Sequence, residues 1–351
     1  MAFTCYVVDI SRNKLVSYIK RCPTFATMSS SAPITLLIHG GAGNIRPDLL
    51  NEAQERAFHE GLEQALDLGY TLLEQGHSAL DVVAETVQVL ENNPLFNAGK
   101  GSVYTHEGRV EMDAAIMDGN TLAAGAIAGV QGVKNPIQLA KAILHDGRHV
   151  FLSGEGARLF AEEHGLTIEA PAYFETTIRQ EQWMAIKDSP YYQLDTQNDN
   201  PKSSFDGDKK FGTVGAVALD VHGNLAAATS TGGMCNKKYG RIGDSPVIGA
   251  GTYANNKTCA ISCTGHGEFF LRGVVAYDIA CLMEYAGLSV QEAAERVIHE
   301  KLKPIGGEGG LIALDAHGHF AMPFNSAGMY RGYRQAKQKM IALFGYELPL
   351  R

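Results

Sequence analysis

A glycine–threonine pair, Gly212-Thr213 within KFGTVG, is the feature of this chain best suited to nucleophilic chemistry. A threonine hydroxyl is a weak nucleophile unless a base lies beside it, and a cut before the threonine would free an α-amino group in that place. The amine has a reference pKa of about 7.7–8.0, which suits a general base near neutral pH. Glycine tolerates a strained scissile bond. Taken alone, however, Gly-Thr is more typical of an ordinary strand start.

The segment before this pair has a different composition from the rest of the chain. Residues 189–210 contain few aliphatic side chains and many Asn, Asp, Ser and Lys residues, which predicts a solvated linker or mobile loop. Residues 1–33 lack the apolar core of a secretory signal, and core-like sequence starts at Ile34. We therefore expect an N-terminal extension over 1–33 (or a start at Met28), a first part over 34–212 and a second over 213–351.

Periodicity places the pair among alternating strands and helices. Strands are predicted at 34–39, 110–119, 124–130, 245–254 and 258–265, with hairpins at 212–231 and 310–324. Helices are predicted at 49–75, 78–91, 135–145, 155–164, 174–187, 268–285 and 289–301. Hairpins beside long helices indicate an α+β fold with antiparallel sheets and helices outside.

Composition excludes several classes of protein. The chain has 351 residues, of which 45% are hydrophobic, and its formal charge of -8 argues against nucleic acid as a partner. No apolar run reaches the roughly 18 residues of a membrane span. The six cysteines form no CxxC pair, which predicts reduced thiols and a cytoplasmic protein. The twelve histidines lack metal-ligand spacing, and GxSxG, GxGxxG and phosphate-loop motifs are absent.

Several longer motifs, from Ile34 to about Tyr330, resemble the plant-type (type 2) L-asparaginases, which are also isoaspartyl peptidases. The motifs are IHGGAG, NNPLFNAGKGSV, MDAAIMDGNTL, GTVGAVALDVHGNLAAATSTGG, GRIGDSPVIGAG and SCTGHG. The resemblance implies the four-layer αββα sandwich of N-terminal nucleophile hydrolases, with two mostly antiparallel sheets. It also implies hydrolysis of L-asparagine and β-aspartyl dipeptides to L-aspartate.

The resemblance implies catalytic roles residue by residue. The precursor would cleave itself between Gly212 and Thr213, which makes Thr213 the N-terminal nucleophile of a smaller subunit. Thr231 would hydrogen-bond the nucleophile's hydroxyl. Thr264 and the N–H of Gly265 would form the oxyanion hole, where each donor is worth roughly 3–4 kcal/mol.

The resemblance also implies a substrate site. Arg241 and Asp244 match the pair that holds the substrate's α-carboxylate and α-ammonium, and a zwitterionic amino acid does require one cation and one anion close together. Gly267 matches a substrate-contacting backbone position, and Asn97 matches an asparagine near the nucleophile.

A structural sodium ion, held by backbone carbonyls, is implied as well. The matching positions are Leu90, Glu91, Asn93, Phe96, Ala98 and Lys100. No cofactor is expected for catalysis. The expected partner is a small-molecule substrate, and the expected assembly is a dimer of α–β heterodimers.

Two positions depart from the family pattern, and two alternatives stay open. Cys235 and His266 stand where relatives often carry Thr, which puts maturation rate and substrate preference in doubt. A glycosylasparaginase would share fold and nucleophile but is expected in secretory settings with disulfides. A non-catalytic binding relative would not need the intact set of threonines, arginine and aspartate.

Overall fold

The computed structural model describes residues 5–9, 14–18, 33–188 and 212–345, so the predicted linker at 189–210 lies outside the described residues. The chain divides into two compact units, Met1–Ser31 and Ala32–Arg351. In the first unit, strands β1 (Cys5–Asp9) and β2 (Lys14–Tyr18) pair antiparallel. All remaining elements belong to the second unit.

The larger sheet of the second unit has eight strands, in the order β14-β13-β3-β7-β8-β4-β5-β6. Their bounds are β3 Thr35–Gly43, β4 Met112–Asp118, β5 Ala124–Val130, β6 Phe151–Ser153, β7 Val214–Leu219, β8 Leu225–Thr231, β13 Gly328–Gln335 and β14 Gln338–Ala342. Neighbouring strands are antiparallel except β5 and β6. The predicted hairpin at 212–231 is confirmed as β7 and β8.

The smaller sheet has four antiparallel strands in the order β12-β11-β10-β9. They are β9 Thr252–Ala254, β10 Cys259–Gly265, β11 Gly309–Asp315 and β12 Phe320–Ala321. The predicted strand at 245–254 is wrong over its first seven residues. That stretch folds into turns, with the Val247 amide donating to the Asp244 carbonyl and Gly249 at a φ of +91°.

The helices match most predicted spans. They are α1 Glu52–Glu74, α2 Ala79–Asn92, α3 Pro136–Asp146, α4 Gly154–Glu163, α5 Thr177–Ile186, α6 Gly267–Gly273, α7 Val275–Ala286 and α8 Val290–Glu295, which continues as the π-helical segment Arg296–Leu302. Among the described residues, no helix has the length and hydropathy that a membrane span requires.

The predicted continuous helix at 268–285 is wrong, because the chain turns at Val274. This residue has φ 46° and ψ 47°, a left-handed conformation that ends α6 and starts α7. The break gives partners to the first amides of α7, since Ala276 and Tyr277 donate to the carbonyls of Ala250 and Gly249. In an unbroken helix these two amides would instead donate to carbonyls four residues earlier in the helix.

Both faces of the larger sheet are buried at β3. Alternate side chains of β3 point in opposite directions. Leu36 and Ile38 pack in one apolar cluster with α1, α2 and α3. Leu37 packs in a second cluster with the smaller sheet, α7 and α8. Helices and two sheets around these clusters confirm the predicted α+β class.

Candidate active site

The two threonines at the open end of the β7–β8 hairpin form the core of the candidate site. Thr213 directly precedes β7, and Thr231 ends β8. The register pairs Val214 with Ser230, which places the two threonines opposite each other. Their hydroxyl oxygens lie 3.2 Å apart, and both side chains are buried. The predicted nucleophile and its predicted hydroxyl partner are therefore together.

Asn97 organises the chain around these threonines. Its side-chain amide donates to the Gly233 carbonyl at 2.7 Å, and the Gly233 amide donates to the Thr231 hydroxyl at 3.0 Å. A Cβ at residue 212 would lie 2.5 Å from the Asn97 Cβ. Only glycine fits against Asn97, so the peptide bond before Thr213 lies close to Asn97.

His39, which the sequence analysis did not assign, contacts Thr213 directly. Its Nδ1 lies 3.0 Å from the Thr213 carbonyl oxygen and its Nε2 lies 2.8 Å from Ser262 Oγ. Burial lowers the pKa of His39 to about 3, against a smaller opposing effect of the Thr213 hydrogen bond. The imidazole is therefore neutral near pH 7. Because a carbonyl only accepts, the proton is on Nδ1.

Thr264 and Gly265, the predicted oxyanion donors, end β10. The Thr264 hydroxyl oxygen accepts from the Ala42 amide at 3.2 Å, so its own proton remains able to donate. Gly265 has a φ of +152°, and a Cβ there would lie 2.4 Å from the Glu308 carbonyl oxygen. The strand end is closed to any larger side chain.

Asp244 carries the most perturbed carboxyl group of the predicted substrate site. The residue is 4% exposed, and its Oδ2 has no hydrogen-bond partner among the described residues. Burial raises its pKa to about 7, although the charge of Arg241 acts in the opposite direction. A buried acceptor without a partner is costly, and a cationic group would satisfy it.

Arg241 is occupied by a residue that the sequence analysis missed. Its guanidinium makes two parallel bonds to Glu268, at 2.8 and 2.9 Å. Burial acts to raise the pKa of Glu268, but these bonds hold it below its ordinary value. A Cβ at Gly267 would lie 2.8 Å from Asp244 Oδ1 and 2.9 Å from an Arg241 nitrogen. Glu268 directly follows the TGHG motif, which was the available signal.

Gly233 links the two groups of residues. It bonds Asn97 and Thr231 through its backbone, and a Cβ there would lie 3.5 Å from an Arg241 nitrogen. The structure thus brings the predicted nucleophile region and the predicted substrate residues to one place.

The predicted sodium positions surround the turn after α2. A Cβ at Gly99 would lie 2.4 Å from the Glu91 carbonyl oxygen, and one at Gly101 would lie 2.1 Å from the Phe96 carbonyl oxygen. The two glycines let the backbone pass close to these carbonyls, and the Phe96 carbonyl oxygen accepts from the Ala98 amide at 2.9 Å. The Lys100 ammonium lies 5.2 Å from the centre of the Tyr173 ring. The remaining predicted positions are Leu90, in the last turn of α2, and Asn93 and Ala98, which come after α2. The sodium ion itself stays a prediction.

Other ligand types have less support. Among the described residues, no group of three or more His, Cys, Asp or Glu side chains could hold a metal ion. Cys259, Cys263 and Cys281 are free thiols. Of the two departures from the family pattern, Cys235 is buried, and His266 lies 3.4 Å from the Glu268 carboxylate.

Comparison with known proteins points the same way. The sequence model of the asparaginase family matches residues 32–343. The isoaspartyl peptidase of Salmonella typhimurium is 52% identical over 301 residues, covering 86% of this chain and 95% of that protein. The isoaspartyl peptidase of Escherichia coli is 51% identical, covering 86% and 92%. The isoaspartyl peptidase/L-asparaginase of Rattus norvegicus is 41% identical over 308 residues, covering 88% of each chain.

Proposed function

Because this chain belongs to the asparaginase family, we propose that it hydrolyses L-asparagine and β-aspartyl dipeptides to L-aspartate, releasing ammonia or an amino acid. The observation that carries the proposal is the buried Thr213 hydroxyl, 3.2 Å from that of Thr231 at the end of a hairpin. The family resemblance assigns Thr213 as the nucleophile, and its neighbours suit that role.

Maturation is the first step of the proposed mechanism. The Thr213 hydroxyl oxygen attacks the Gly212 carbonyl carbon, the peptide bond breaks, and the acyl group moves from nitrogen to oxygen. The Thr213 nitrogen takes the hydroxyl proton and becomes a free α-amine in this step, and water then hydrolyses the ester, which frees the Thr213 hydroxyl and the carboxylate of Gly212. The close fit of Gly212 against Asn97 supports this step, because it restricts the position of the scissile peptide.

Substrate hydrolysis follows by acyl transfer. The α-amine takes the hydroxyl proton as Thr213 attacks the side-chain amide carbon, and the Thr264 hydroxyl and Gly265 N–H donate to the developing oxyanion. The amine leaves with the proton, and water releases L-aspartate from the ester. Thr231 orients the nucleophile throughout.

The substrate's α-groups are held away from the reacting carbon. Its ammonium pairs with the free oxygen of Asp244, which has no other partner among the described residues. Its carboxylate binds the guanidinium of Arg241, either beside the Glu268 carboxylate or in its place. Gly267 leaves the space between the two side chains open.

The finer structural assignments are also proposals. We propose that the layers form the four-layer αββα sandwich of N-terminal nucleophile hydrolases and that a sodium ion orders the turn after α2. The free thiols of Cys259, Cys263 and Cys281 support a cytoplasmic setting. We propose an assembly of two α–β heterodimers, which the mass in solution would test.

A denaturing gel and two assays test the function. The wild-type protein should give fragments of 212 and 139 residues from the 351-residue chain and should hydrolyse both substrates. Thr213→Ala should stay intact and inactive. A wild-type protein that stays intact yet hydrolyses asparagine refutes the mechanism. Hydrolysis of N-acetylglucosaminyl-asparagine alone would instead identify a glycosylasparaginase, and no hydrolysis would indicate a binding protein.

A further inference from the structure

The imidazole of His39 extends the bonding between β3 and β7 beyond the end of their ladder. The backbone of His39 pairs with Gly215, the last pair in the register. Two residues further along, the carbonyl of Thr213 is bonded by His39 Nδ1 rather than by a backbone amide. One residue therefore holds the strand and also the peptide group of the proposed nucleophile.

A row of buried hydroxyl groups supports the ring from its other side. Ser262 Oγ lies 2.8 Å from His39 Nε2, Thr229 Oγ1 lies 2.7 Å from Ser262 Oγ, and Thr252 Oγ1 lies 2.6 Å from Thr229 Oγ1. Because the neutral ring carries its proton on Nδ1, Nε2 accepts from Ser262. The Thr213 carbonyl therefore selects the tautomer, and the Ser262 hydroxyl, which can donate or accept, is compatible with it.

Gly215 leaves room for the contact between His39 and Ser262. A Cβ at Gly215 would lie 2.0 Å from Ser262 Oγ and 2.4 Å from His39 Nε2. Any larger residue there would separate the imidazole from the serine. Glycine at position 215, the second residue of β7, is therefore required by the contact between His39 and Ser262.

We propose that His39 is a positioning residue for the nucleophile: its Nδ1–H holds the Thr213 carbonyl and so fixes rotation about the Thr213 Cα–C bond. This inference rests on the proposed function. Cleavage would release Thr213 from Gly212 and leave three constraints on it: the bond to Val214, the contact with Thr231, and the His39 bond. The His39 bond then sets the directions in which the hydroxyl and the α-amine point.

Two amide substitutions separate this role from simple packing. In His39→Asn the side-chain NH₂ lies near the position of Nδ1 and still donates to Thr213, whereas in His39→Gln it lies near Nε2 and reaches Ser262 instead. Ser262→Ala is the matched control, because it removes a buried hydrogen bond on the other side of the ring. For each variant we would measure the rate of maturation, kcat, KM and thermal unfolding.

The expected pattern follows from which hydrogen bond survives. His39→Gln should lower both kcat and the maturation rate by about tenfold or more, with KM within about twofold, because the substrate's α-groups bind elsewhere. His39→Asn and Ser262→Ala should keep kcat within about threefold even though they lose stability. Equal losses of kcat in all three variants, or a rise in KM with kcat unchanged, would overturn the proposal.

Nitrogen NMR of the wild-type protein, labelled with ¹⁵N-histidine, gives a readout that does not depend on variant folding. The proposal requires a neutral His39 ring protonated on Nδ1, and an Nε2–H tautomer would refute it. Failure of the proposed function gives a different result, since the wild-type protein itself would then neither mature nor hydrolyse its substrates.

Discussion

Replacing Asp244 by asparagine should stabilise the protein at alkaline pH while removing substrate binding. The carboxyl group is buried, one of its oxygens has no partner among the described residues, and its pKa is raised to about 7 by burial. Near pH 8 the folded protein must therefore keep a poorly compensated negative charge. Asparagine has nearly the same shape and no charge, so this cost disappears.

The size of the effect follows from the two pKa values. The carboxyl titrates at 3.8 in its ordinary state and at about 7 when folded, so the folded state holds the proton more tightly. Its contribution to stability is full below about pH 4 and is lost as pH rises through 7, at about 1.4 kcal/mol per pH unit. Between pH 4 and pH 8 the loss is on the order of 4 kcal/mol.

The assay uses an intact chain, so that unfolding involves a single polypeptide. Thr213→Ala and Thr213→Ala/Asp244→Asn would be unfolded with urea at several pH values from 4 to 8, and their unfolding free energies subtracted. The subtraction cancels the pH-dependent contributions of two other buried groups to the unfolding free energy. These are Glu91, whose pKa is raised to about 7, and His39, whose pKa is lowered to about 3. A difference that does not grow with pH, or a less stable double variant at pH 8, refutes the reasoning.

Three further predictions concern other positions. Glu268→Gln should lower KM for L-asparagine about two- to fivefold with kcat unchanged, because the substrate's carboxylate no longer competes with the Glu268 carboxylate for Arg241. Initial-rate measurements test this, and a raised KM would contradict it. Gly99→Ala should destabilise the protein by about 2 kcal/mol more than Gly154→Ala. The two glycines have similar φ angles, +52° and +54°, but only a Cβ at Gly99 would clash with backbone, at the Glu91 carbonyl. Urea unfolding measures this pair, and equal losses would exclude the clash. Gly212→Ala should slow maturation about tenfold or more because its Cβ would overlap the neighbouring asparagine, and a time course on a denaturing gel that matches the wild type would refute this.

The hairpin that carries the threonines could be predicted from sequence because its signals are local. Apolar runs on both sides of His222-Gly-Asn indicated two antiparallel strands, and the register of these strands places Thr213 opposite Thr231. Asn97, Arg241 and Asp244 were assigned by resemblance, and the structure places them beside the same hairpin.

Contacts between distant segments could not be predicted. His39 and Ser262 lie 223 positions apart in the sequence, and no local sequence pattern around either residue predicts their hydrogen bond. The bond between Arg241 and Glu268 depends in the same way on how the loop after β8 meets α6. The break at Val274 is set by loop carbonyls that accept from α7, which no periodicity in the helix itself could indicate.

The strand order of the larger sheet has a kinetic consequence for a chain cut before Thr213. Strand β3 would then belong to one fragment, and its neighbours β13 and β7 on either side to the other. The fragments would interleave, so neither could leave without breaking ladders on both edges of β3. Refolding of the intact chain is first order, whereas refolding of the cut protein would be second order in fragment concentration. Dilution would therefore slow recovery of the cut enzyme and leave that of the uncut chain unchanged.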